Sequence, residues 1–195
     1  MKYTKIKIND IIVDDPILNK KDRSFKSLIG LSINKELSDV EDFTFEMAPM
    51  KVKKINNNKI ELEFMVNHPN FYKFIYDVDR YIFDIIMENG EEWFGKPPKY
   101  ETLDRLFQRS IKQQETLTSY PTMGFDISDI CIIKDINGDN IKITEIEENN
   151  EVLCTVTIKQ IIFRENRFYL DFRLEEINIV NYVCQQTECL FSESE

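Results

Sequence analysis

The stretch VTIKQIIFRENRFYLDFRLEEI, residues 156–177, decides the fold class of this chain. In its second half, apolar and polar residues alternate, and this period of two is typical of a strand with one buried face. The apolar positions are Phe168, Leu170, Phe172 and Leu174. The polar run RENR precedes them and predicts the turn of a hairpin. The sequence therefore predicts a long antiparallel hairpin near the end of the domain.

Further strands are predicted around this hairpin from the same alternation. Pro49 interrupts one run and suits a strand edge or a bulge. The run NNN at residues 56–58 predicts a turn between two paired strands. The run NGDN at residues 137–140 predicts another turn. Residues 14–42 are interpreted as a loop with one short strand. The predicted strands cover residues 1–12, 28–33, 43–47, 50–55, 59–66, 123–134, 141–146, 152–163 and 168–177.

Between these strands the apolar period changes to about 3.6, which predicts a helix. Asn67 is its predicted cap, Pro69 suits its first turn and Gly90 its end. The buried stripe comprises Phe71, Phe74, Ile75, Val78, Tyr81, Ile82, Ile85 and Ile86, and the opposite, solvated face carries Asp77, Asp79, Arg80 and Asp84. A second helix is predicted from Glu101 or Thr102. It buries Leu103, Leu106, Phe107 and Ile111 and exposes Arg105, Arg109 and Lys112.

The order of elements favours an α+β fold: an antiparallel sheet or small barrel with two helices inserted between strands. EEWFGKPPKY, residues 91–100, is predicted to be irregular because Gly95, Pro97 and Pro98 oppose regular structure. One domain is expected over residues 1–182, followed by a mildly acidic tail at 183–195.

Composition excludes several classes of protein. The chain is 42% hydrophobic and 31% charged, which suits a packed core rather than disorder. A formal net charge of −10 argues against general affinity for nucleic acid, although a local basic stripe is compatible with it. Four cysteines without C-x-x-C spacing and a single histidine make a structural zinc site improbable. The start of the chain has no signal or spanning segment, so we expect a cytosolic or nuclear protein with reduced thiols and no membrane partner.

Catalytic machinery is not recognisable. His68 is the sole histidine, and its place before Pro69 favours a loop or capping role over a Ser-His or Cys-His pair. The five glycines are too scattered for a phosphate loop. Asp77 and Asp79 lie two residues apart, so they do not share a helix face, and a solvated face is favoured over a magnesium site. The chain is therefore interpreted as a binding or assembly protein rather than an enzyme, and no cofactor or metal is predicted.

Basic and aromatic residues concentrate in three clusters, the pattern by which proteins hold single-stranded nucleic acid. The first comprises Trp93, Lys96, Lys99 and Tyr100 with Arg105, Arg109 and Lys112; the second Lys51, Lys53 and Lys54; the third Lys159, Arg164, Arg167 and Tyr169. The alternative is that Trp93 and Phe94 pack against the core at the junction between the two helices, and that the charged residues belong to an ordinary solvated surface.

Four segments within residues 43–180 resemble segments of a known protein family. They are MAPMKV (47–52), ENGEEWFGK (88–96), YPTMGFDI (120–127) and the closing hairpin. With them the chain resembles a protein family of nucleocytoplasmic large DNA viruses of the phycodnavirus and mimivirus kind. That family is in turn similar to phage-type single-stranded-DNA-binding proteins. Trp93, Phe94, Gly95 and Lys96 match its most distinctive motif. The resemblance implies an OB-like barrel whose strand face and adjoining loops bind DNA.

The resemblance implies a sequence-independent single-stranded-DNA-binding protein of viral genome replication and recombination. Its partners would be single-stranded DNA and, through the tail with Leu190 and Phe191 beside carboxylates, replication proteins; a homodimer is left open. The host cytoplasm, the virus factory or the virion is the expected location. The alternative function is a structural or assembly protein of the virion or virus factory that binds proteins and no nucleic acid.

Overall fold

Strands dominate the computed structural model, which describes residues 1–18, 27–35, 39–56, 58–113, 119–164 and 167–182. The strands are β1 (Ile11–Val13), β2 (Ile17–Leu18), β3 (Ser27–Lys35), β4 (Asp39–Glu46), β5 (Met50–Asn56), β6 (Lys59–Phe64), β7 (Thr122–Asp126), β8 (Ile132–Lys134), β9 (Glu151–Arg164) and β10 (Arg167–Asn181). The helices are α1 (Pro69–Phe94) and α2 (Tyr100–Leu106). Within the described ranges, no helix has the length and apolarity needed to cross a membrane.

A closed ring of strands forms the centre of the molecule. The predicted hairpin is β9–β10, and β9 also pairs with β5. The second predicted hairpin is β5–β6, after which β6 pairs with β7 and β7 returns to β10. In the described part of the chain, five strands thus close a barrel of the OB type, with α1 and α2 inserted between β6 and β7. The predicted α+β class and OB-like barrel are confirmed.

The sheet is mixed, because β7 and β8 run parallel to β10. The other four contacts around the ring are antiparallel. Five strands cannot alternate in direction around a closed ring, so at least one neighbouring pair must be parallel. Closing the barrel with an odd number of strands therefore imposes the mixed sheet.

Two of the predicted strands are turns. Residues 1–12 form 3-10 turns at Tyr3–Lys5 and Ile8–Asp10 before the short β1, although Ile6 is buried as predicted. The segment 141–146 contains a 3-10 turn at Ile143–Glu145 instead of a strand. Alternation indicates which side chains are buried, and it does not require that the segment be a strand. Conversely, the region 14–42 contains more strand than the single piece predicted there.

Helix α1 has different ends from those predicted. It begins at Pro69 with His68, not Asn67, at the capping position, and it continues four residues past Gly90. A Cβ at Gly90 would lie 2.7 Å from Pro98 Cγ, so this glycine lets residues 95–99 fold back against the helix. The helix ends at Gly95, which has φ +75° and donates its N–H to the Glu91 carbonyl at 2.9 Å. Residues 91–94 are therefore helical rather than irregular.

The predicted stripe of α1 packs on the barrel through aromatic contacts. Phe74 meets Phe45 edge-on at a centroid distance of 5.3 Å, and Phe71 lies 5.6 Å from Phe64. Helix α2 is shorter than predicted and ends at Leu106, yet Phe107 and Ile111 are buried beyond it. The residues that follow α2 are thus held by apolar anchors outside the helix, and they form one side of the site described next.

Candidate nucleic-acid interface

A groove of about 440 Å³ lies on the outer surface of the barrel, across β6, β7 and the start of β10. Every second side chain of these strands faces the groove, because successive side chains of a strand point to opposite faces of the sheet. The inward residues of these strands belong to the core. The outward residues that line the groove are Lys59, Glu61, Gly124, Asp126, Tyr169 and Asp171.

Residues 107–112, here called the wall segment, form one side of the groove. At one end Gln108 N donates to the Phe168 carbonyl at 2.8 Å. At the other end Lys112 and Thr122 exchange two backbone hydrogen bonds of 2.8 and 3.1 Å. The wall segment is thereby fixed to β10 and to β7, and it places Gln108, Arg109, Ser110 and Lys112 along the groove.

The groove has a different charge balance from the rest of the protein. The cations among its described lining residues are Lys54, Lys59, Arg109 and Lys112, and the carboxylates are Glu61, Asp126 and Asp171. This leaves the lining one unit positive on a chain whose formal net charge is −10. Lys59 and Asp126 form an ion pair at 3.1 Å with both side chains more than three-quarters exposed, and such pairs are weak enough to exchange partners.

Glu61 organises the cations on the floor of the groove. Burial raises the pKa of its carboxyl, but the Thr122 hydroxyl, Lys112 and Lys53 together outweigh burial and hold that pKa below its usual value. Thr122 Oγ1 donates to Glu61 Oε1 at 2.7 Å, and Lys53 Nζ lies 3.6 Å from the same oxygen. An ionised Glu61 attracts Lys112, which lines the groove, and Lys53, which reaches it from the rim.

Tyr169 supplies an aromatic surface beside these cations. The guanidinium carbons of Arg164 and Arg167 each lie 5.7 Å from the centre of its ring, within the range of a cation–π contact. Arg167 also donates to Gln108 Oε1 on the wall segment at 3.3 Å. The start of β10 therefore combines a ring that a base could stack on with cations that could hold the adjoining phosphates.

Arg109 is oriented by contacts on both sides. Its guanidinium carbon lies 4.8 Å from the Phe107 ring centre and 5.4 Å from that of Phe83, and Nη2 donates to Asp104 Oδ1 at 2.6 Å. A guanidinium stacked on aromatic rings keeps donors free at its edge. Arg109 can therefore present a fixed fork to a phosphate oxygen.

The structure brings parts of all three predicted clusters together at this groove. Arg109 and Lys112 from the first cluster line it, as do Lys54 from the second and Tyr169 from the third, with Arg164 and Arg167 against Tyr169. Lys53 reaches Glu61 from the rim. Lys51 faces Glu63 and Glu151 on the neighbouring strands, and Lys159 lies at an irregularity of the β9–β10 pairing; neither is among the lining residues.

The helix junction, residues 93–100, is separate from the groove. Trp93, Lys96, Lys99 and Tyr100, together with Arg105 of α2, do not appear among the described residues that line the groove. Trp93 and Phe94 are half-buried and pack against the core, and Phe94 lies 5.3 Å from Phe163. This is the packing arrangement that the alternative interpretation predicted. A role of these residues in binding DNA stays a prediction.

Some groove residues were not singled out from the sequence: Lys59, Gln108, Ser110 and Gly124. Lys59 had a signal, because the alternation of β6 places it on the same face as Glu61. Gln108 and Ser110 had none, since the predicted helix was expected to continue through them. A Cβ at Gly124 would lie 3.5 Å from Lys112 Nζ, an ordinary van der Waals distance, so Gly124 places bare backbone on the groove floor beside that lysine.

Asp79 is placed differently from the expectation of a solvated helix face. It is only 2% exposed, and its carboxylate accepts hydrogen bonds from Ser110 N at 2.8 Å and Ser110 Oγ at 2.6 Å. Burial raises the pKa of Asp79 to about 6, against the opposing effects of both Ser110 donors and the Arg109 charge. The period places position 79 beside the buried stripe, and its polar side chain is accepted there because the wall segment satisfies it.

Among the described residues there is no group of three or more His, Cys, Asp or Glu side chains that could hold a metal ion. Burial, assisted by Glu175 and Glu176, raises the pKa of the Cys131 thiol to about 11, and burial raises that of Cys154 still further. Both thiols are protonated at neutral pH, which makes them poor nucleophiles.

The barrel and its groove define an OB-like α+β protein, and the fold of one solved structure supports this. The chain is similar to gp2.5, a single-stranded-DNA-binding protein encoded by bacteriophage T7, with a TM-score of 0.50, 13% sequence identity, and coverage of 78% of this chain and 97% of that one. The single-stranded-DNA-binding protein from bacteriophage Enc34 aligns with a TM-score of 0.49, 10% identity, and coverage of 87% and 91%. No protein-family model and no curated protein matches the sequence.

Proposed function

We propose that this protein binds single-stranded DNA without reading its sequence, as a non-enzymatic component of viral genome replication and recombination. The observation that carries the proposal is the convergence of Lys54, Arg109, Lys112 and Tyr169 from separate parts of the chain on one groove of an OB-like barrel. The likeness of the fold to a phage single-stranded-DNA-binding protein supports it.

In the proposed complex the DNA backbone follows the line of cations along the groove. Lys54, Lys59, Arg109 and Lys112 replace the counterions of successive phosphates, and release of those ions drives binding. A base stacks on Tyr169, because every base offers a flat aromatic face. Neither interaction depends on base identity. The acidity of the remaining surface weakens attraction to DNA elsewhere on the protein.

The viral context is part of the proposal. The resemblance of residues 43–180 to proteins of nucleocytoplasmic large DNA viruses supports action in the host cytoplasm or virus factory, with the virion as a further location. We propose residues 1–182 as the binding domain. The tail at 183–195, which lies outside the described residues, carries Glu188, Glu193 and Glu195 without a basic residue. We propose it as a contact for replication proteins, and we propose that the domain can form a homodimer.

Titration of a fluorescent 30-nucleotide oligonucleotide in low salt tests the proposal. We expect binding below ~10 μM protein that weakens steeply as salt rises, because each phosphate contact releases a counterion. Poly-dT, poly-dA and mixed sequences should bind alike, and a duplex of equal length should bind more weakly. An RNA strand of the same sequence determines whether the sugar matters. The absence of binding at that concentration, or binding independent of salt, would refute the proposal.

A second candidate, a structural or assembly protein, is favoured by one observation. Ile132 on β8, Ile136 in the following turn, and Val180 and Tyr182 at the end of β10 are exposed, with Ile130 70% exposed before β8. Clusters of exposed apolar residues mark protein contacts. If this function is the main one, the protein copurifies in stoichiometric amount with particles. Variants with Ile130 and Ile132 changed to Ser then lose that association and keep DNA affinity unchanged.

A further inference from the structure

The wall segment is anchored to the barrel at both ends, and between these ends it is held by the buried Ile111 and by a contact of a different kind. Between the backbone hydrogen bonds at Gln108 and Lys112, the main-chain N–H and the hydroxyl of Ser110 both donate to the carboxylate of Asp79. Ser110 lines the groove, whereas Asp79 lies behind it on α1. One carboxylate therefore fixes the point midway between two of the groove's cations, Arg109 and Lys112.

Asp79 is an unfavourable residue to bury for stability alone. A charged carboxylate that is 2% exposed loses nearly all its hydration, and only the Ser110 donors and the charge of Arg109 compensate. Its pKa of about 6 shows that the compensation is incomplete. An apolar side chain at this position of the buried stripe would avoid the loss. The hydrogen bonds that Asp79 makes to Ser110 therefore explain this carboxylate better than packing does.

We propose that Asp79 is a positioning residue for DNA binding: by holding both donors of Ser110, it sets the wall segment so that Arg109 and Lys112 face the same groove. This inference rests on the proposed function and assigns a determinant of it to a residue that does not itself contact DNA. Arg109 is held from two directions, by Asp104 on its guanidinium and by Asp79 through the neighbouring peptide N–H. Lys112 is held by Thr122 on one side and by the Ser110 anchor on the other.

The direction in which DNA affinity changes when a negative charge is removed distinguishes a positioning role from a purely electrostatic one. Asp79→Asn and Asp77→Asn each remove one negative charge from α1, and the electrostatic expectation for both is equal or tighter DNA binding. Asp77 is the matched control, since it pairs with Lys73 on the outer side of the helix. Asparagine at position 79 has one accepting oxygen and a donating NH2 group, so both bonds to the carboxylate lose their charge. One of the two persists only if the Ser110 hydroxyl turns round to accept. We expect Asp79→Asn to weaken binding about ten-fold, while Asp77→Asn stays within about two-fold of wild type.

Two further readouts exclude a loss of folded protein as the cause. A smaller folded fraction would leave the dependence of log Kd on log salt unchanged, whereas displacement of Arg109 or Lys112 should make it shallower by about 0.7, the value of one contact on a single strand. Trypsin cleavage after Arg109 and Lys112 should become faster in Asp79→Asn under native conditions, because a released wall segment can enter a protease. Ser110→Thr keeps both donors, so its affinity and salt slope should stay closer to wild type than those of Ser110→Ala. Ser110→Ala loses the hydroxyl donor and should fall between wild type and Asp79→Asn.

The outcomes separate this inference from the proposed function. If wild-type protein binds DNA and Asp79→Asn matches Asp77→Asn in affinity, salt slope and trypsin resistance, the positioning role is refuted. If wild-type protein does not bind DNA, the proposed function fails, and trypsin resistance still shows whether Asp79 holds the wall segment. If Asp79→Asn does not fold, Ser110→Ala against Ser110→Thr decides: equal affinity and slope in these two variants overturn the inference.

Discussion

The groove and the helix junction are both rich in lysine, arginine and aromatic residues, but these residues are arranged differently in the two regions. In the groove, residues from β5, β6, the wall segment and β10 meet, and Tyr169 lies beside two guanidinium groups. At the junction, Trp93 and Phe94 turn towards the core while Lys96 and Lys99 point into solvent. The difference shows that clustering along the sequence does not determine which basic and aromatic side chains share one surface. Convergence in space determines it.

The largest expected effect comes from reversing charges in the two regions. Lys54→Glu with Lys112→Glu, and Lys96→Glu with Lys99→Glu, add the same four negative units to a net charge of −10. The groove pair should weaken single-stranded-DNA binding by about 10³-fold, or about 4 kcal/mol, because two phosphate contacts become repulsive. The junction pair should change Kd less than about five-fold. Fluorescence anisotropy measures both, and equal losses would show that only net charge matters.

The second largest effect is a pH-dependent change in the free energy of unfolding, which comes from Asp79 behind the groove. Because burial raises the pKa of Asp79 to about 6 from an ordinary 3.8, the folded protein holds that proton more tightly than the unfolded chain. The stability this provides is fully present below about pH 4 and is lost as the pH rises through about 6. Relative to Asp79→Asn, wild type should therefore lose about 3 kcal/mol of unfolding free energy between about pH 4 and pH 7.

Urea unfolding of both proteins at several pH values measures this difference. The Trp93→Ala variant of the junction is the control, and its stability relative to wild type should not vary with pH, because apolar packing carries no proton. A constant difference between wild type and Asp79→Asn across that pH range would contradict the buried, proton-binding carboxyl.

A third prediction separates packing from binding at the junction. Trp93→Ala should lower the free energy of unfolding by about 2 kcal/mol, less than for a fully buried tryptophan because Trp93 is half-buried. Its affinity for DNA should stay within about two-fold of wild type. Tyr76→Ala, an exposed change on α1, should alter neither quantity. A strong loss of DNA affinity in Trp93→Ala at full stability would extend the binding surface to the junction.

The smallest effect is expected from removing one aromatic ring. Tyr169→Ala should weaken binding by about 1.5 kcal/mol, the stacking contribution of about one base, and Tyr169→Phe should retain the wild-type affinity. Tyr100→Ala removes a more exposed tyrosine, 57% exposed, from the junction and should leave Kd unchanged. Anisotropy titrations compare the three variants. If Tyr100→Ala is the weaker binder of the two alanine variants, the assignment of the stacking ring is wrong.

Much of the barrel could be predicted from the chain alone, because its signals are local. Period-two alternation located the β5–β6 and β9–β10 hairpins, and the 3.6 period located α1. The ends of α1 were predicted wrongly because contacts with residues outside the helix decide them. Gly90 is normally a sign of termination, but here it lies inside α1 because Pro98 packs on it. Asp79 was assigned to solvent because its hydrogen-bond partner, Ser110, is 31 residues away in sequence.

For the site, the sequence by itself determined which residue types were available and that they lay in three clusters. Tertiary structure decided which members of those clusters share a surface: Arg109, Lys112 and Tyr169 line the groove with Lys54, and Trp93 does not. It also decided that β7 must run parallel to β10, since a ring of five strands cannot alternate throughout. Local periodicity records burial along one segment, whereas convergence depends on how distant segments are paired, and no single segment contains that information.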